Sequence, residues 1–83
     1  MEPGKSVILY TRPGCHLCEH VETLLHRLNF AFQPVDIETD PGLEKEYGLR
    51  IPVVHIAGTG QELAFPFDAG ALSEFLTRPG EIQ

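Results

Sequence analysis

The chain has 83 residues, 42% of them hydrophobic and 22% charged, with a formal net charge of −6. That length holds one small domain, taken as 1–83, with a modest core, and six scattered Lys and Arg against twelve Asp and Glu exclude the basic footprint of a nucleic-acid binder. No apolar run nears the roughly 20 residues that span a bilayer, and two cysteines are too few for a disulfide-stapled secreted scaffold.

The opening "MEPGKSVILY" lacks the basic, apolar and small-residue order of a signal peptide, so a cytoplasmic protein is expected, acting as a monomer without a membrane partner. In a reducing cytosol a close cysteine pair is more often catalytic, redox-active or metal-binding than structural.

Taken in chain order, "SVILY" (6–10) is a β-branched and aromatic run ended by "TRPG", a buried strand followed by a turn. From Cys15 to Asn29 the apolar residues Leu17, Val21, Leu24, Leu25 and Leu28 recur at helical spacing and predict an amphipathic helix. "FAFQPVDIE" (30–38) alternates as a second strand, with Pro34 expected at its start or on a sheet edge. In "TDPGLEKEYG", Asp40 as N-cap, Pro41 at the first helical position and Gly48 at the stop predict a short helix.

"IPVVHIA" (51–57) is then a strand, Gly58-Thr59-Gly60 a hairpin turn, and "QELAF" (61–65) the partner strand. Asp68 can cap a last helix carrying Leu72, Phe75 and Leu76, which "RPG" (78–80) stops. The order β-α-β-α-β-β-α predicts an α/β fold: a parallel βαβ unit, an antiparallel hairpin and a helix, hence one mixed four-stranded sheet flanked by helices.

Both cysteines lie in "TRPGCHLCEH" (11–20). At the start of a helix the free N–H groups and the positive dipole end stabilise a thiolate, lowering its pKa below the free value of about 8.5. At about 100° per residue, Cys18 sits some 60° closer to the leucine stripe than Cys15, so Cys15 is the exposed, reactive thiol and Cys18 the shielded one. Their i, i+3 spacing brings the sulfurs to neighbouring positions on one face. Two-step exchange needs this arrangement: one thiolate attacks a substrate disulfide and the other resolves the mixed disulfide.

Metal binding competes with that reading, but structural zinc takes four ligands and no second cysteine pair exists in the chain. His20 points away from the pair, and His26 lies over ~15 Å along the helix from Cys15. No metal is therefore expected. His16, between the thiols, is a residue that could tune the couple, with Arg12 adding positive charge nearby. In "YGLRIPVV" (47–54), Pro52 read from composition alone simply begins a strand.

Together, "LYTRPGCHLC" and "YGLRIPVV", about 35 residues apart, resemble the glutaredoxin branch of the thioredoxin-like superfamily. The active-site stretch is similar to the Tyr-Thr-Lys-Pro-x-Cys-x-x-Cys of small glutaredoxin-like redoxins and to short glutaredoxin-like proteins carrying Cys-His-Leu-Cys. The resemblance implies a thioredoxin-like fold and a thiol–disulfide oxidoreductase with Cys15 as nucleophile and Cys18 resolving. It implies that Pro52 is a cis-proline facing the thiols, and that the backbone of Ile51 pairs with the substrate. It places Arg12 where the family's basic residue helps bind the glutathione carboxylate, and Asp68 where an acidic residue opens the last helix.

Where glutaredoxins carry paired glycines before that acidic residue, this chain has Ala64-Phe65-Pro66-Phe67. The expected partners are a protein or glutathione disulfide. No cofactor is required beyond a thiol reductant, for which glutathione is a candidate co-substrate and the reductase is unassigned. Two readings from other classes stay open: a thioredoxin-fold module binding metal or an iron–sulfur cluster, and a redox-inactive interaction domain.

Overall fold

A computed structural model describes residues 6–77. Its elements are β1 (Val7–Thr11), α1 (His16–Arg27), β2 (Gln33–Asp36), a 3-10 turn (Ile37–Thr39), α2 (Pro41–Tyr47), β3 (Val53–Ile56), β4 (Gln61–Ala64) and α3 (Ala69–Thr77). The strand order is β2-β1-β3-β4. β1 runs parallel to β2 and antiparallel to β3, and β3 runs antiparallel to β4, the mixed sheet that the element order predicts. The helix stop expected at 78–80 lies outside the described residues. No helix among the described residues is long and apolar enough to cross a membrane.

Cross-strand register assigns the two faces of the sheet. Val7 pairs with Ile56 and Leu9 with Val54, and these four pack with Val21 and Leu25 of α1 and Leu72, Phe75 and Leu76 of α3. The alternate residues Tyr10 and Val53 face the other way, toward a smaller cluster with Ile37, Leu43 and Tyr47. Burial of each large aliphatic side chain in these clusters contributes about 1.5–3 kcal/mol. The leucine stripe explains the helix, with one correction. Leu17 is 50% exposed, outside the apolar cluster that Val21, Leu24, Leu25 and Leu28 join.

Element ends differ from the sequence expectation for local reasons. Helix α1 closes at Leu28 because Asn29 takes a left-handed φ of 62°, with Asn29 N–H donating to His26 O and Phe30 N–H to Leu25 O. This is a Schellman stop, with asparagine filling the position glycine more often takes. The strand expected over 30–38 shortens to 33–36, since Asp36 caps the 3-10 turn by accepting from Glu38 N–H at 2.8 Å. Pro34 stands on the edge strand β2, where a missing N–H costs no ladder bond.

Candidate active site

The site is built at one end of the sheet. β1 points its C-terminus there and so does the parallel β2, with Thr11 opposite Asp36. The antiparallel β3 starts there, Val53 opposite Tyr10, and β4 returns there, Ala64 opposite Val53. Topology therefore gathers Arg12, Cys15, Asp36, Pro52 and the segment leading to Asp68 at the same end.

Between β1 and α1 the chain turns at Arg12-Pro13-Gly14-Cys15, with Cys15 N–H donating to Arg12 O at 3.2 Å. Proline second and glycine third, the latter at φ 79°, is the residue pattern of a type II turn. Cys15 is the N-cap of α1 in extended conformation, and its sulfur accepts a hydrogen bond from Cys18 N–H at 3.1 Å. The two sulfurs are joined as a disulfide, with Cα atoms 5.2 Å apart, inside the range that such a bond spans. Cys18 is 1% exposed, whereas Cys15 is half-buried, the ranking that the helix wheel predicts.

His16 is 93% exposed, its Nδ1 3.6 Å from Glu19 Oε1. Among the described residues no three His, Cys, Asp or Glu side chains come together as a metal-ligand set.

Pro52 is buried, and the Ile51–Pro52 bond is cis, as the resemblance implies and composition alone does not. A second cis bond, Phe65–Pro66, was not foreseen. The two segments are tied together by Phe65 N–H donating to Pro52 O at 3.1 Å. Ile51 N–H donates inward to Tyr47 O at 3.1 Å. Asp68 caps α3, its Oδ1 accepting from Ala71 N–H at 2.8 Å and its carbonyl accepting from Leu72 N–H at 3.0 Å.

Arg12 Nη2 donates to Glu44 Oε2, and its Nε lies 3.2 Å from Glu38 Oε2. The hydrogen bond to Glu44 raises the guanidinium pKa further, against a smaller opposing effect of burial. Beside this ion pair a cleft of about 300 Å³ is lined by Arg12, Pro13, Gly14, Glu19, Glu22 and Asp36 among others. A larger cleft, about 390 Å³, lies farther along α1, between His26, Phe30, Phe32 and Pro34.

A polar cluster on the α2 side of the sheet escaped the sequence reading. Glu62 Oε2 accepts from Tyr47 OH and lies 3.0 Å from His55 Nδ1, and Glu62 Oε1 is 3.7 Å from Arg50 Nη2. The Tyr47 ring stacks on Tyr10 at 4.2 Å, and the Arg50 guanidinium stands over it at 5.0 Å. Burial raises the Tyr47 pKa, and its bond to Glu62 raises it further. For Glu62, burial pushes upward, but the bonds with Tyr47 and His55 and the charge of Arg50 outweigh it, so its carboxyl lies below the usual value. Glu62 thus holds residues before, within and after the loop that carries Ile51 and Pro52.

Residues 6–77 match the family described as Glutaredoxin-like domain (DUF836). The chain is 32% identical over 62 residues to the N-acetyl-S-hydroxy-L-cysteine reductase of Bacillus subtilis (strain 168), covering 69% of this chain and 66% of that protein. Its fold is similar to that of the structural-genomics target protein XcR50 from X. campestris, with a TM-score of 0.79 and 42% identity over 86% of this chain and 95% of that one. It is also similar to glutaredoxin from Brucella melitensis, with a TM-score of 0.61 and 30% identity over 89% of this chain and 86% of that one. The fold is thioredoxin-like, and the disulfide-forming pair Cys15–Cys18, taken with these relatives, supports a thiol redox function in general terms. The chain belongs to the glutaredoxin-like domain family.

Proposed function

We propose that the protein is a thiol–disulfide oxidoreductase in which Cys15 attacks and Cys18 resolves. In the reduced form the Cys15 thiolate attacks one sulfur of a substrate disulfide. A mixed disulfide forms and the first substrate thiolate leaves, taking a proton from solvent. Cys18, deprotonated, then attacks Cys15 Sγ and releases the second substrate thiol. Two electrons pass to the substrate and the enzyme ends as the Cys15–Cys18 disulfide. A thiol reductant, glutathione or a protein dithiol, restores the dithiol by the reverse exchange.

The observation that carries the proposal is the half-buried N-cap sulfur of Cys15, hydrogen-bonded by Cys18 N–H, in front of a buried Cys18. Helix N-termini favour the thiolate over the thiol. Because Ile51 N–H is already used by Tyr47 O, an extended substrate pairs with the Ile51 carbonyl beside Pro52. Leu17 and Leu49, the exposed large hydrophobics among the described residues, flank the Cys15 turn and the Pro52 loop in the chain and suit a protein substrate. His16 stands as the tuning residue between the thiols, and Arg12 and Asp68 as the charged residues at that end of the sheet. The action belongs in a reducing compartment such as the cytoplasm.

The name of the Bacillus subtilis relative favours one further substrate type. The same attack on a sulfenic acid expels hydroxide, which takes a proton from solvent and leaves as water, and forms a mixed disulfide for Cys18 to resolve. Both readings are tested by following turnover of bis(2-hydroxyethyl) disulfide and of a small cysteine sulfenic acid with a dithiol reductant. Wild type should turn over at least one of them, and Cys15→Ser neither. Activity that survives Cys15→Ser would overturn the proposal.

A further inference from the structure

The cleft lined by the turn that leads into Cys15 has a single Lys or Arg among its lining residues, Arg12, with Glu19, Glu22 and Asp36 as the anions. That cation is already matched. Glu44 Oε2 accepts a hydrogen bond from its Nη2, and Glu38 Oε2 stands 3.2 Å from its buried Nε as an ion pair without a hydrogen bond. Only 29% of the Arg12 side chain remains exposed. Neither partner depends on a chance loop conformation. Glu38 sits in the 3-10 turn that Asp36 caps, with Glu38 N–H donating to Asp36 Oδ1 and Thr39 Oγ1 to Asp36 O, both at 2.8 Å. Glu44 sits in α2, whose N-cap Asp40 accepts from Gly42 N–H at 2.8 Å. These caps fix the backbone that carries both acids, and both side chains reach Arg12.

Resting on the oxidoreductase reading above, we propose that Glu38 and Glu44 are specificity-determining residues: by occupying Arg12 they make the site discriminate against anionic disulfides and favour neutral or cationic ones. A disulfide carboxylate entering this cleft toward Arg12 would have to displace a carboxylate already in place, and would face Glu19, Glu22 and Asp36 as well. A cationic group entering the cleft meets these acids instead. The attraction acts across a few ångströms of partly wet surface, so it is modest and falls with salt.

The test compares kcat/KM for three small disulfides: cystamine (cationic), bis(2-hydroxyethyl) disulfide (neutral) and oxidised glutathione (anionic). Wild type and Glu38→Gln/Glu44→Gln are assayed with the same dithiol reductant at low salt. Turnover of the neutral disulfide reports that each variant is folded and its thiols are competent. Intrinsic differences among the disulfides cancel when ratios are compared between variants. The double variant is expected to lower the cystamine-to-glutathione ratio at least threefold. Adding Arg12→Gln to it should cost activity on oxidised glutathione by a larger factor than the same change costs in wild type. A change in ratio smaller than threefold, with the neutral activity retained, overturns the inference. Failure of the wild type to reduce any of the three overturns the disulfide-reductase reading itself, and the inference with it.

Discussion

The backbone N–H of Cys18 donates to the sulfur of Cys15 at 3.1 Å, so a sulfur fills the helix N-cap position that oxygen side chains usually hold. One three-residue step therefore supplies the reactive group, the group that stabilises its charge, and the second thiol.

After reduction, Cys15 should be alkylated by iodoacetamide with a pH midpoint below the free-cysteine value of about 8.5, and faster than Cys18. Mass spectrometry of modified peptides across pH reads both sites at once. Equal midpoints would remove the electrostatic basis for ranking the thiols.

The turn before Cys15 depends on backbone freedom at Gly14, which holds φ at 79°. A Cβ there would meet nothing within 4 Å, so the cost of Gly14→Ala is conformational rather than steric. The left-handed region should cost the variant about 1–2 kcal/mol of unfolding free energy, measured by urea titration. No loss would mean that the loop relaxes to another turn.

Asp68 caps α3 through its side chain and its carbonyl. Asp68→Ala should lose about 1 kcal/mol of stability, while Asp68→Asn, which retains an accepting oxygen, should lose less. Thermal unfolding compares the two. An equal loss would assign the effect to charge rather than to the cap.

The Glu62 cluster gives stability a pH signature at both ends of the scale. Glu62 lies below its ordinary 4.5, so its contribution is present above that pH and is lost as pH falls through the lowered folded value. Tyr47 lies above its ordinary 10.0, so its contribution is complete below that pH and declines as pH rises beyond it. Glu62→Gln should therefore flatten the acid limb of the melting-temperature profile, and Tyr47→Phe the alkaline limb. Limbs as steep as those of wild type would place these groups outside the linkage.

Much of this was legible in the sequence where one signal dominated. The leucine period marked α1, the Asp40-Pro41 start and Gly48 end marked α2, and the wheel angle between the cysteines gave their burial order. Relations decided by tertiary register were harder to read. A three-residue turn at 58–60 would pair Ala57 with Gln61. The observed pairing of Ile56 with Gln61 puts His55 opposite Glu62 instead, and that one-residue difference creates the polar cluster. Likewise, nothing local in "TRPGC" announces that Arg12 will meet acids 26 and 32 residues downstream. The exposure of Leu17 depends on which residues of α1 the core covers, which periodicity does not encode.

The central claim is that Cys15 attacks and Cys18 resolves, and it is tested most directly by trapping. Reduced Cys18→Ser and Cys15→Ser variants are mixed with bis(2-hydroxyethyl) disulfide and their intact masses measured over time. Cys18→Ser should accumulate one mercaptoethanol adduct, on Cys15, while Cys15→Ser reacts far more slowly. Adducts forming at equal rates on the two variants, or faster on Cys15→Ser, would contradict the account.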